Sequence, residues 1–133
     1  MFLVDTNVLL DVATDDRRWA AWSLHALEAA AMQGELRINP VVYAEFSIGY
    51  ARIEEVDAAL ATARIAIAEI PRAALFLAGK AFADYRRRRA TKASVLPDFF
   101  VGAHAAVAGL RLITRDGGRY RTYFPSVELV APA

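Results

Sequence analysis

Cysteine is absent from this sequence of 133 residues, and histidine occurs only twice, as His25 and His104. The absence of cysteine excludes disulfide frameworks, zinc sites built from thiolates and catalysis by a cysteine nucleophile. Two histidines leave little for a metal site built from imidazoles or for a catalytic triad. A metal site in this chain would therefore depend on oxygen ligands.

An excess of positive charge is also missing. The chain has 16 lysines and arginines against 15 aspartates and glutamates, which gives a net charge of +1. This balance removes the simplest argument for nucleic-acid binding, which rests on bulk positive charge. Hydrophobic residues make up 56% of the chain, enough to bury a real core. We expect residues 1–133 to form a single domain.

The sequence has no apolar run long enough to span a membrane. The longest weakly polar stretch, residues 99–110, contains a histidine and two glycines. It falls well short of the roughly 20 apolar residues that a membrane span needs. The first five residues contain no lysine or arginine and already include Asp5, so we predict no signal peptide. These features predict a cytoplasmic protein that makes no contact with a membrane.

Short apolar runs alternate with longer segments that are rich in alanine and leucine. The runs predict strands at residues 2–4, 36–38, 67–70, 112–114 and 127–130. The longer segments predict helices over 17–33, 53–64 and 99–110, and two more that begin at Pro40 and Pro71. Asn39 should cap the helix that begins at Pro40. This alternation predicts an α/β protein with three α/β/α layers and a short central parallel sheet.

Four acidic residues stand where such a fold concentrates its chemistry, beyond the carboxyl ends of the strands. Asp5 directly follows the first strand, and Asp116 lies two residues past the strand at 112–114. Asp98 falls in the first turn of its helix, and Glu45 lies in the helix after the second strand. This topology permits the four side chains to meet but does not require it.

If these carboxylates meet, they need a cation, because like charges raise one another's pKa. Oxygen ligands alone suit a hard ion such as Mg²⁺ or Mn²⁺, which activates water and stabilises charge on a phosphoryl group. Phosphodiester hydrolysis is the reaction that such a site suggests. The alternative is that Asp98 only begins a helix and that Asp116 only opens the turn Asp116-Gly117-Gly118.

Several segments, taken in order, resemble the PIN-domain family. They are Asp5-Thr6-Asn7 after the first strand, Glu45, the segment Leu96-Pro97-Asp98-Phe99-Phe100-Val101-Gly102-Ala103-His104-Ala105, and Thr114-Arg115-Asp116 followed by Tyr120 and Phe124. Within that family, the chain is similar to the toxin halves of VapBC-type toxin–antitoxin pairs. The resemblance extends from Met1 to the closing strand, and four acids in this order over one short domain are a strong signal. One departure is Val101-Gly102, where the family often has Ile-Ala.

The resemblance implies an endoribonuclease that depends on Mg²⁺ or Mn²⁺ and acts as the toxin of a type II toxin–antitoxin module. Asp5 and Asp98 would be the principal metal ligands, with Asp116 ligating directly or through water. Glu45 would position or deprotonate the attacking water. Three polar residues would orient these carboxylates, namely Thr6, Asn7 and Thr114. The resemblance also implies a homodimer and a small antitoxin that occludes the acidic pocket.

Two groups of basic residues could bind the RNA backbone. The first group is the run Arg86 to Arg89 with Lys92, and the second, nearer the acids, consists of Arg115, Arg119 and Arg121. The run at 86–89 is equally explained as a solvated helix end, where cations complement the helix dipole. Arg115 could instead pair with a surface carboxylate.

Two other interpretations of the same residues remain. A phosphomonoesterase of the doubly wound type would also place Asp5 after its first strand, but Lys80 and Lys92 do not clearly supply the lysine that it needs. A non-catalytic module with this fold, which binds RNA or forms complexes, is the second. Turnover that requires a metal ion would separate both from the nuclease.

Overall fold

Five short parallel strands form the centre of the fold. The computed structural model describes residues 1–88 and 95–133. Its strands are β1 (Phe2–Val4), β2 (Leu36–Ile38), β3 (Ile65–Ile67), β4 (Arg111–Ile113) and β5 (Leu129–Val130). They pair in the order β3-β2-β1-β4-β5, and every pairing is parallel. The predicted α/β fold with a short central parallel sheet is thereby confirmed.

Helices flank this sheet. Those in the described residues are α1 (Thr6–Ala13), α2 (Ala20–Ala31), α3 (Pro40–Ser47), α4 (Ile53–Thr62), α5 (Arg72–Arg88), α6 (Leu96–Ala108) and α7 (Gly118–Tyr123). In this part of the chain, no helix has both the length and the apolar character that a bilayer crossing demands.

Strand β1 lies in the middle of the sheet because it is apolar at every position. Phe2, Leu3 and Val4 are at most 1% exposed, as expected for a strand that is buried on both faces. Phe2 pairs with Leu36 of β2 on one side and with Arg111 of β4 on the other. The strand order therefore reverses at β1, which is where open parallel sheets form their functional crevice.

Helix α3 begins as its sequence predicts. Asn39 Oδ1 accepts a hydrogen bond from the Val42 amide at 2.9 Å, and Pro40 occupies the first turn. Asn39 Nδ2 lies 3.4 Å from Nδ1 of the buried His104, on helix α6. Burial lowers the pKa of His104, which favours the neutral ring that can accept this bond. His104 therefore has a structural role, since it supports the cap of the helix that carries Glu45.

Two helices were not predicted, α1 and α7. The segment Asp5-Thr6-Asn7 was interpreted as the turn after β1, but it begins α1, because the Asp5 side chain accepts a hydrogen bond from the Thr6 amide at 2.8 Å. The same residue types serve turns and helix caps, so the local pattern did not separate the two. Helix α7 has only six residues and starts at a glycine, too short to show a helical period.

Some predicted element boundaries were wrong by one to three residues. The third strand was predicted at 67–70 but lies at Ile65–Ile67, where it pairs with β2. Ile65 is buried whereas Ile67 is 53% exposed, so the pairing rather than the longest apolar run decides the register. Strands β4 and β5 are likewise shifted or shorter than predicted, and Thr114 is the first residue beyond β4.

An aromatic cluster joins α5, α6 and α7. The fully buried ring of Phe99 lies 5.4 Å from the ring of Phe82, 5.3 Å from that of Tyr123 and 5.8 Å from that of Phe124, measured between centroids. Such edge-to-face and tilted contacts stabilise a core beyond the area that they bury. Because Phe99 directly follows Asp98, this cluster holds the start of α6 in place.

Gly102 explains the departure from the Ile-Ala pattern. A Cβ atom at this position would overlap Cδ2 of the Phe124 ring and lie 2.5 Å from its Cε2. The buried ring of Phe124 therefore fills the space that an alanine methyl group would need.

We predict that Gly102→Ala lowers the free energy of unfolding by about 1–3 kcal/mol, because the buried Phe124 ring must shift. The matched control is Gly79→Ala in helix α5, where nothing lies within 4 Å of the added Cβ. That change should be neutral or raise stability by up to about 1 kcal/mol, through helix propensity alone. Denaturant unfolding measures both, and equal stability of the two variants would contradict this packing account.

Candidate active site

The carboxyl group of Asp5 lies at the end of β1 and is held by four donors. Its Oδ2 accepts hydrogen bonds from Thr114 Oγ1 and Tyr120 Oη, each at 2.8 Å, and a longer one from Asn7 Nδ2 at 3.4 Å. Its Oδ1 accepts from the Thr6 amide at 2.8 Å. Asp5 is only 5% exposed, so its orientation is set by the protein rather than by solvent.

These donors meet because β1 and β4 are neighbours in the sheet. Asn7 follows β1 and Thr114 follows β4, and the two side chains lie 3.3 Å apart. Asn7 Oδ1 also accepts a hydrogen bond from the amide of Arg115 at 3.2 Å. The exits of the two strands are thus bonded to each other as well as to Asp5.

Burial and the nearby negative charge of Asp98 raise the pKa of Asp5 from its usual 3.8 to about 6. The hydrogen bonds from Thr114, Tyr120 and Thr6 oppose this rise because they favour the ionised form. The effects of burial and of Asp98 nevertheless outweigh those of the hydrogen bonds, so the pKa of Asp5 stays raised. An ionised Asp5 is therefore held at a free-energy cost, which a bound proton or a nearby cation would reduce.

Asp98 occupies the first turn of α6, with about a third of its side chain exposed. Burial raises its pKa above the usual range, and the charges of Glu45 and Asp116 add to that rise. Arg119 opposes them, since its Nη1 donates a hydrogen bond to Asp98 Oδ2. Negative charge from two other acids thus converges on Asp98.

Glu45 is joined to Asp5 through Thr6. The Thr6 hydroxyl donates to Glu45 Oε1 at 2.7 Å, while the amide of the same residue donates to Asp5. This link connects helix α3, which carries Glu45, to the start of α1. One threonine therefore orients two of the four acids.

Asp116 is the most exposed of the four acids. Its amide donates a hydrogen bond to Thr114 Oγ1 at 3.2 Å, which fixes the backbone just past β4. The negative charge of its carboxylate helps to raise the pKa of Asp98. The structure thus brings all four predicted acids to the carboxyl edge of the sheet, together with Thr6, Asn7 and Thr114.

Residues 2–125 of this chain match the family described as PIN domain. The chain belongs to the PIN-domain family. No curated protein sequence matches it. The likeness is therefore carried by the domain pattern and by the fold.

Solved structures of toxin–antitoxin complexes share this PIN-domain fold. A chain of VapBC2 from Rickettsia felis, bound to a DNA fragment from its promoter, superposes with a TM-score of 0.71 at 17% identity, over 98% of this chain and 97% of the other. A toxin–antitoxin complex from Klebsiella pneumoniae gives 0.68 at 24% identity, over 100% and 98%. VapBC-1 from nontypeable Haemophilus influenzae gives 0.70 at 18%, over 98% and 96%. At these identities the likeness shows the fold alone.

The donor groups at this edge fit a hard divalent cation in their chemistry. All four are carboxylates, the ligands that Mg²⁺ and Mn²⁺ prefer. The charge of Asp98 helps to raise the pKa of Asp5, and the charges of Glu45 and Asp116 help to raise that of Asp98. Within residues 1–88 and 95–133, however, no three acidic or histidine side chains stand close enough together to be a preformed metal site. Among the described residues, Arg119 is the basic residue that forms an ion pair with Asp98.

Arg115 and Arg119, both predicted to bind RNA, each form an ion pair with an acid. Arg115 binds Asp11 through two hydrogen bonds, Nε to Oδ2 at 2.8 Å and Nη2 to Oδ1 at 3.0 Å. Asp11 is only 2% exposed and also accepts from Ser23 Oγ at 2.7 Å. The alternative interpretation of Arg115, pairing with a carboxylate, describes its position, although that carboxylate is buried. Arg119 contacts Asp98 instead.

Of the other arginines predicted to bind RNA, those that the structure describes are exposed. Arg121 lies on α7, whereas Arg86 and Arg87 end helix α5. Arg87 lies 3.2 Å from Asp84, in the kind of surface pair that contributes little to stability. Arg89 and Lys92, which belong to the same basic run, lie outside the described residues.

Tyr120 is the site residue to which the sequence assigned no role. It is 2% exposed, donates to Asp5 and has a pKa raised well above its usual value by burial and by the charges of Asp5 and Asp98. It therefore stays a donor. Its place in the family pattern was visible, but no local signal links it to Asp5, which lies 115 residues earlier.

We predict that Asp5→Asn becomes more stabilising, relative to the wild type, as the pH rises. The folded protein holds the Asp5 proton more tightly than the unfolded chain, so ionisation destabilises the fold between about pH 4 and pH 6. The difference in free energy of unfolding between the two proteins should grow by about 3 kcal/mol over that range. Denaturant unfolding at a series of pH values measures this difference.

The matched control is Glu28→Gln, which removes one negative charge from an exposed position on α2. It should leave most of the pH dependence of stability intact. A difference between Asp5→Asn and wild type that does not change from pH 4 to pH 7 would show that the Asp5 carboxyl carries no such cost.

Proposed function

We propose that this protein is an endoribonuclease that hydrolyses RNA phosphodiester bonds with Mg²⁺ or Mn²⁺ and acts in the cytoplasm as the toxin of a type II toxin–antitoxin module. The observation that carries this proposal is the convergence of Asp5, Glu45, Asp98 and Asp116 at one edge of a PIN domain. The likeness to chains of three toxin–antitoxin complexes supports the biological role.

Asp5, Asp98 and Asp116 would hold the divalent cation. Such an ion, when bound, lowers the pKa of a water molecule and stabilises negative charge on a phosphoryl group. Asp5 is prepared for this role because its donors come from the scaffold, so its carboxylate need not be ordered on binding. Thr114 serves both Asp5 and the backbone of Asp116, and it therefore couples two ligands.

Glu45 would accept the proton of the attacking water. The hydrogen bond from Thr6 engages Oε1, which leaves Oε2 as the oxygen for that proton. Glu45 is partly exposed, so water and RNA can reach it.

The RNA backbone would contact the exposed arginines beside the acidic edge. Arg121 lies on α7, the helix that also carries Tyr120 and Arg119. Arg86 and Arg87 lie at the end of α5, whose Tyr85 ring packs against Tyr123 of α7. Their contribution would be independent of base sequence, because it comes from phosphate contacts.

We predict that the purified protein cleaves a mixed pool of tRNA, rRNA and mRNA with Mg²⁺ or Mn²⁺ and not with EDTA. Asp98→Asn and Glu45→Gln should each slow cleavage by about a hundred-fold or more, because one removes a metal ligand and the other the base. Gel analysis of the products measures the rate. Glu28→Gln, an exposed acid on α2, is the matched control and should cleave as the wild type does.

Three results would contradict the proposed nuclease activity. Cleavage that persists in EDTA, or that Asp98→Asn retains at the wild-type rate, would point to a contaminating enzyme. Absence of both cleavage and metal binding would favour the alternative, a non-catalytic module with this fold that binds RNA or forms complexes.

An apolar groove between α1, α2 and α4 supports an antitoxin as the partner. It has a volume of about 530 Å³. Its lining includes Leu9, Val12, Leu24, Leu27, Phe46 and Leu60. Leu24 is 46% exposed, and a segment with an apolar face could bury it. A homodimer, which the family resemblance implies, remains part of this proposal.

We predict that Leu24→Lys weakens binding of the small protein encoded in the same module by about ten-fold or more, because a charge enters the apolar groove. Leu75→Lys is the matched control, since Leu75 is 44% exposed on α5 and does not line the groove. Calorimetry with the purified partner measures both affinities. Equal weakening by the two variants would argue against this groove as the binding site. In the absence of the partner, Leu24→Lys should cleave RNA at the wild-type rate.

A further inference from the structure

Arg119 stands between the acidic edge and an aromatic ring. Its Nη1 donates to Asp98 Oδ2, and its Cζ atom lies 5.9 Å from the centroid of the Tyr85 ring. The side chains of Arg119 and Asp98 are 32% and 34% exposed, respectively. The pair is therefore within reach of solvent, ions and ligands.

The negative charges of Glu45 and Asp116 disfavour the ionised form of Asp98, so a nearby positive charge stabilises its carboxylate. In the described part of the chain, Arg119 is the basic residue that forms an ion pair with it. A divalent cation bound to Asp98 would meet the same need with greater charge density. Arg119 and a divalent cation would therefore bind the same carboxylate, that of Asp98.

We propose that Arg119 and the divalent cation compete for Asp98, and that Arg119, once displaced, binds a phosphate of the RNA backbone. This inference rests on the proposed function, which supplies the cation and the RNA. Arg119 then exchanges one anionic partner, Asp98, for another, an RNA phosphate, when the cation and the RNA bind.

The contrast with Arg115 explains why Arg119 can move. Arg115 binds Asp11 with two hydrogen bonds, and Asp11 is buried, so breaking that pair would leave a buried carboxylate without its positively charged partner. Arg119 makes one hydrogen bond to a carboxylate that is a third exposed. Water or a metal ion can therefore take over Asp98 at small cost.

The Tyr85 ring gives Arg119 a second contact that does not depend on Asp98. Tyr85 is 6% exposed and packs against Phe99 and Tyr123 at centroid distances of 5.5 Å and 5.9 Å. A guanidinium group over such a ring is stabilised by the electrons of its face. When Asp98 is released, the ring would keep the guanidinium beside the acidic edge, where the RNA would bind.

This arrangement couples the two ligands. A cation that frees Arg119 strengthens RNA binding, and by linkage RNA that holds Arg119 strengthens cation binding. The coupling differs from that of a passive basic rim, which would add to RNA affinity by the same factor with or without the cation.

The first test is calorimetric titration with Mn²⁺ in the absence of RNA. Arg119→Gln should bind Mn²⁺ about ten-fold more tightly than the wild type, because the ion no longer displaces a charge-assisted hydrogen bond. Arg121→Gln is the matched control, as it removes an exposed arginine from the same helix, and its affinity should stay within about two-fold of wild type.

The outcomes separate this inference from the proposed function. Equal Mn²⁺ affinity in wild type and Arg119→Gln would overturn the competition while leaving the metal site intact. Weaker binding by Arg119→Gln would also overturn it, because Arg119 would then hold Asp98 ready for the ion. Failure of every protein to bind Mn²⁺ would overturn both ideas.

The second test is binding of a 2′-O-methyl RNA oligonucleotide, with and without Mn²⁺, followed by fluorescence anisotropy. Mn²⁺ should raise the affinity of the wild type by a larger factor than that of Arg119→Gln. An equal factor in both would overturn the transfer of Arg119 to phosphate. Thermal unfolding checks that the variants fold, and Arg119→Met, which also removes the charge but keeps an apolar side chain beside Tyr85, replaces Arg119→Gln if that variant does not.

Discussion

A buried carboxyl group at the end of the central strand is the constraint on which the rest of the site depends. Asp5 is 5% exposed, and its pKa is raised to about 6 even though Thr6, Thr114 and Tyr120 donate to it. Those donors come from α1, from the end of β4 and from α7. Stabilising one carboxylate therefore requires that two strand exits and a short helix be assembled around it.

Two other acids near Asp5, namely Asp11 and Asp98, each form an ion pair with an arginine, and the two pairs differ. Arg115 is committed to the buried Asp11, so it stabilises the packing of α1 against the β4 exit. Arg119 pairs with Asp98, and about a third of each side chain is exposed to solvent. Neighbouring arginines thus differ in the burial of their partners, and burial decides how strongly each ion pair resists exchange.

Most of the fold was predictable because its elements are regular and its strands are strongly apolar. Strands β1 and β2 and the cap of α3 at Asn39 were predicted from local residues alone. Helix α1 was not, because Asp5 serves as turn residue and helix cap equally well. The position of β3 was also wrong, because pairing with β2 places Ile65 inside and leaves Ile67 outside.

The sequence by itself determined which chemical groups the site can use, since a chain with no cysteine and two histidines leaves carboxylates as the metal ligands. It also put acids just past two strands and at one helix start, and parallel pairing sends such positions to one edge. Only the tertiary structure decided the partners. Arg115 meets Asp11 across 104 positions and Tyr120 meets Asp5 across 115, because these bonds depend on distance and burial, which local sequence does not encode.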